Sequence, residues 1–103
     1  MQATIEANGR HLPKDSYLLE GSQYQADRSP ALRLSKDGEP WMTLTCCLPD
    51  HTLARGEMLI KTWGENEGVA ENLIESGVLV DTGKRVPTGY CEAMVCTLGI
   101  ELS

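Results

Sequence analysis

The sequence predicts an α+β domain: an antiparallel β-sheet of four to six strands with one principal α-helix packed on one face. Three observations carry that expectation. Short runs of β-forming residues recur between Gly, Pro and Asp turn signals, and strands joined by turns pair antiparallel. Only one segment, Asn66 to Ser76, has clear helical periodicity. At 103 residues, with 41% hydrophobic and 23% charged, the chain is read as one domain, 1–103, able to bury a core without disulfides or metal.

In order, Gln2 to Ala7 alternates weakly and meets Asn8-Gly9, a strong hairpin signal. Ser16 to Glu20 reads as a short strand and the following GSQYQADRSP as loop, with Tyr24 its one large apolar anchor. Ala31 to Leu34, a turn at Lys36 to Pro40 and Trp41 to Leu48 make a hairpin that Pro49-Asp50 ends. HTLARG then crosses to a strand from Glu57 to Thr62. In the helix Asn66 is the expected N-cap and Gly77 the stop, while Ala70, Leu73 and Ile74, with Val69 beside them, form a buried stripe. Val78 to Val80 is a short strand, DTGKRVPTG a polar loop, and Tyr90 to Leu98 the last strand. That strand sends Tyr90, Glu92, Met94, Cys96 and Leu98 to one face and Cys91, Ala93, Val95 and Thr97 to the other. Phe is absent, so Trp41 and Trp63 are expected as the core's large pieces.

Charge narrows the function classes. Fifteen acids against nine bases give −6, and the longest basic cluster is Lys84-Arg85, which argues against direct nucleic-acid binding and for a basic protein partner. The N-terminus has neither the basic nor the apolar region of a signal peptide, and no apolar run is long enough to span a bilayer, so cytoplasm is the expected compartment, with no membrane attachment. Cys46, Cys47, Cys91 and Cys96 lack zinc spacing and read as reduced, mostly buried thiols. His11 and His51 fall in separate polar loops, and phosphate-loop and EF-hand patterns are missing. No catalytic residue, metal or cofactor is expected.

What remains is an acidic stretch, Thr62 to Gly83, carrying Glu65, Glu67, Glu71, Glu75 and Asp81, with no Lys or Arg between Lys61 and Lys84. Glu67, Glu71 and Glu75 stand four residues apart, about 6 Å per step along a helix. Like charges so spaced weaken a helix by roughly 0.2–0.5 kcal/mol per pair, so stability does not explain the row. These five carboxylates are the candidate partner-binding surface.

The DGEP turn, the ENEG helix start and the strand containing PTGY, within a run from Ala31 to Leu98, resemble a family of small domains carried by phages and mobile elements. The resemblance covers about two-thirds of the chain and transfers no catalytic residue. Small acidic α+β proteins of this origin are similar to inhibitors of bacterial immunity, including anti-CRISPR and anti-restriction proteins. The resemblance therefore implies a non-enzymatic inhibitor in the bacterial host's cytoplasm, acting as an acidic nucleic-acid mimic on a basic host protein or CRISPR effector subunit. Two alternatives stand beside it: a mobile-element interaction module whose acidic face is merely solvated, and a small enzyme using Cys91 or Cys96.

Overall fold

Apolar residues alternating with polar ones give β1 (Gln2–Ala7), β2 (Asp15–Gln23) and β3 (Pro30–Lys36), and β4 (Glu39–Thr43) completes a first antiparallel sheet in the order β1-β2-β3-β4. The computed structural model describes residues 1–26, 28–48 and 51–103. The expected stop at Pro49-Asp50 and Asp27 of the expected loop lie outside these.

Asp37 and Gly38 join β3 to β4 with φ of 53° and 81°, the two left-handed residues of a type I′ turn, which is why glycine stands second. Leu34 pairs with Met42 while Ser35 pairs with Pro40, so Trp41 is the extra residue of a bulge. It is therefore exposed at the sheet edge rather than central to the core, its ring set edge-on to Tyr17 at 5.5 Å. Tyr17 takes the large buried position instead.

The run Trp41 to Leu48 is not one strand. Beyond Leu44 the chain leaves the first sheet, and β5 (Thr45–Cys46) opens a second with β6 (Met58–Ile60), β8 (Glu92–Leu98) and β7 (Leu79–Pro87), in the order β5-β6-β8-β7. Among the described residues the α+β class thus holds eight strands in two four-stranded antiparallel sheets. The segment expected as a polar loop, DTGKRVPTG, belongs largely to β7. Its register on β8 shifts between Asp81 and Arg85, where the strand bulges.

Helix α1 spans Val69–Glu75 and a 3-10 turn, Gly64–Asn66, precedes it. Gly68, with φ of 83°, stands at the helix N-cap in place of Asn66, whose amide instead turns inward and donates to the Thr43 carbonyl at 2.8 Å. Val69, Ala70 and Leu73 are buried as expected, with Ile74 partly so, and Gly77 ends the helix by donating its N–H to Ile74. The Asn8-Gly9 signal has a different cause from a two-residue turn: residues 8–14 form the β1–β2 connection, and a Cβ on Gly9 would lie 2.5 Å from Val69 Cγ2. Asn8 N–H donates to Asn72 Oδ1, and Arg10 N–H to the Glu67 carbonyl, so this loop pins the start of α1.

The main core fills the space between the sheets and α1, with Leu19, Leu34, Met58, Ile60, Leu73 and Cys96 among its most buried members. A second cluster, Leu59, Val86, Ala93 and Val95, lies on the opposite face of the second sheet, partly covered by Leu48, Leu53 and Trp63. No helix among the described residues is long and apolar enough to cross a membrane.

Candidate functional site

The acidic row is rearranged by the helix boundary. Because α1 begins at Val69, Glu67 precedes it in extended backbone, and only Glu71 and Glu75 keep the four-residue helical step. Glu67 is also neutralised: Arg10 Nη1 lies 3.1 and 3.2 Å from its two carboxylate oxygens, and His11 Nε2 is 4.0 Å away. Asp81, on β7 rather than in a loop, accepts two 2.9 Å hydrogen bonds from the Arg85 guanidinium. That guanidinium, aided by the Gly83 N–H, holds the Asp81 carboxyl below the usual range.

Glu65, Glu71 and Glu75 remain exposed without an ion-pair partner among the described residues. Glu71 and Glu75 flank an open concavity of about 550 Å³ lined also by Asn8, Gly68, Asn72 and Ser76. Asn72 and Ser76 are engaged with backbone groups of Asn8 and Leu73, so the two carboxylates are the concavity's charged groups. Glu71 also borders a second hollow of about 440 Å³ with Trp63, Arg85, Cys91 and Glu92. Glu92, at the start of β8, is exposed and joins the acidic flank from a different element. Its position on the half-apolar face of the strand was the only hint of it in the sequence.

Tyr90, in the β7–β8 turn beside Cys91, stands fully exposed. Linear order offered no signal for this, because an aromatic opening a strand pattern reads as part of the strand.

The four cysteines are free thiols, with Cys96 buried and the other three only half-buried. Burial, reinforced by the Asp81 carboxylate, pushes the Cys96 thiol up to about 11, so at neutral pH it is protonated and a poor nucleophile. Cys91 shares its hollow with no histidine among the described residues. Nor do three His, Cys, Asp or Glu side chains converge among these residues in the manner of metal ligands.

Fold and charge together define a small antiparallel α+β protein with an acidic helical flank. No family model, curated protein or solved structure matches the chain.

Proposed function

We propose that the protein is a non-enzymatic inhibitor of a bacterial defence complex, whose acidic flank occupies a basic, DNA-binding groove of a host protein or CRISPR effector subunit. The observation that carries this reading is the set Glu65, Glu71 and Glu75, three exposed carboxylates with no cation of their own among the described residues. Glu71 and Glu75, unpaired and one helical turn apart, repel each other, and an opposing field steers association. Glu67 belongs to the same surface in a conditional way. Its pair with Arg10 is exposed, worth at most about 1 kcal/mol, and exchanges readily for a partner's cation. Asp81, gripped by both arms of Arg85, is the flank's least available acid.

The neutralisation of Glu67 and Asp81 within the chain favours a second reading, an interaction module of a mobile element whose acidic face is merely solvated. One experiment separates the two. Charge reversal at Glu65, Glu71 and Glu75 to Lys should abolish inhibition and restore DNA binding to the target complex, seen by native electrophoresis of DNA-free and DNA-loaded effector. Association of the unmodified protein should slow as salt rises, because the attraction is screened over about 8–10 Å at physiological ionic strength. Reversal at Asp37, Glu39 and Glu101, exposed acids elsewhere, should do little. Equal loss from both triple variants would assign the effect to net charge, and no loss from either would leave the flank a solvated face.

A further inference from the structure

In a chain of net charge −6, the unpaired arginines are not scattered. Arg10, Arg33 and Arg85 each hold a carboxylate. Arg28 and Arg55 have no ion-pair partner among the described residues, and both line one cleft of about 500 Å³, together with His51. The cleft lies between the loop joining β2 to β3 and the crossover 51–57 that leads into β6.

Its described acid is already committed. Glu57 Oε1 accepts the Ala54 N–H at 2.8 Å, and its other oxygen pairs with Lys84, which fastens the crossover and engages this carboxylate away from either arginine. Arg28 itself sits in left-handed backbone, φ 61°, where a side chain is disfavoured. Its N–H donates to the Tyr24 carbonyl at 2.8 Å, and the Tyr24 N–H to the Ser29 carbonyl at 2.9 Å, so the turn enforces the conformation. Residues held in such backbone cluster at ligand sites.

We propose that this cleft binds a small phosphomonoester, with Arg28 and Arg55 gripping the phosphate oxygens and His51 adding a ring N–H. Two guanidinium forks supply the paired donors that a phosphate accepts, which a single lysine could not. The volume exceeds what the anion alone requires and falls in the range of small-molecule pockets. Two arginines are too small a footprint for a nucleic-acid backbone, whose affinity rests on many phosphate contacts. The site is separate from the acidic flank, since it shares no lining residue with the concavities around Glu71.

The test is an amide NMR titration of the full chain with inorganic phosphate, glycerol 3-phosphate and adenosine 5′-monophosphate, each against sodium chloride of equal ionic strength. Saturable shifts confined to residues 28–30 and 51–57 are expected with a phosphomonoester. Arg28→Gln and Arg55→Gln should each weaken binding by about tenfold or more. Arg28→Gly, which suits the backbone and lacks the guanidinium, should weaken it equally while leaving the melting temperature unchanged or raised. The Glu65, Glu71 and Glu75 reversal should leave the titration intact, so this site stands or falls apart from the proposed inhibition. Shifts that chloride reproduces, that fail to saturate, that persist in the arginine variants, or that arise with inorganic phosphate alone would overturn it.

Discussion

In the first sheet the strands alternate as a one-sided sheet should. Tyr17, Leu19, Leu32 and Leu34 point into the core, while Ser16, Arg33 and Thr43 face water. In the second sheet β6 is buried at all three positions, and β8 is buried from Ala93 to Cys96. Both sheets are antiparallel and of equal strand number, so hydrogen bonding does not distinguish them. The difference lies in what covers the outer face. Across the first sheet it is a polar set, Glu20 paired with Arg33 directly opposite and accepting the Ser35 hydroxyl. Over the second, Leu48, Leu53 and Trp63 close on Leu59 and Val95. The crossover between β5 and β6 is therefore a covering layer as well as a connection, and one-sided burial is a property of a sheet's surroundings, not of antiparallel pairing.

The most direct way to break this contrast is to truncate outer-face residues in both sheets. Leu59→Ala should cost about 2–5 kcal/mol, as for a true core leucine, whereas Arg33→Ala on the first sheet's outer face should cost at most about 1 kcal/mol. Urea unfolding of the two variants measures both, and a small loss at Leu59 would mean that the outer cluster is no core.

A smaller effect tests how the sheets are tied together. Asn66 follows the second sheet's β6 yet donates its amide to Thr43, the last residue of β4 in the first. Asn66→Ala leaves that carbonyl without its donor and should cost about 1–3 kcal/mol. Faster hydrogen exchange at β4 than at β8 in this variant would sharpen the picture of a local tie.

The gentlest probe is acid. Hydrogen bonds and charge from Lys36, Ser35, Lys84 and Arg85 hold the carboxyls of Asp15, Glu20, Glu57 and Asp81 below their usual range. A depressed folded-state value means that the stabilisation is present above the unfolded value and lost as pH falls through the folded one. Unfolding midpoints should therefore be level from neutral pH to about 5 and decline below about 4. Glu57→Gln should flatten that decline more than Glu20→Gln, because Glu57 is buried and Glu20 only half-buried.

Much of this was legible before any coordinates. The α+β class, the β3–β4 hairpin, the apolar stripe of α1 and the stop at Gly77 are local matters of period and turn chemistry. The two faces of β8 were legible for the same reason, since side chains alternate in any strand. Residues 81–87 misled because polar, glycine-containing sequence resembles a loop. As an edge strand, β7 fills the main core with Leu79 and the outer cluster with Val86, and its bulge absorbs the polar middle. The acidic row was legible as composition but not as geometry. Whether Glu67 stood on the helix depended on Gly68, and whether it was free depended on Arg10, fifty-seven positions away.

The sequence by itself determined the periodicities, the turns and the excess of carboxylates, because each is set by residues within a few positions of one another. Only the tertiary structure decided that the strands divide at Leu44 into two sheets and that a second apolar cluster lies beneath the crossover. It alone decided which acids keep their charge unpaired and which arginines share a cleft. Those outcomes depend on which distant segments are brought within hydrogen-bonding reach, and linear order does not record that.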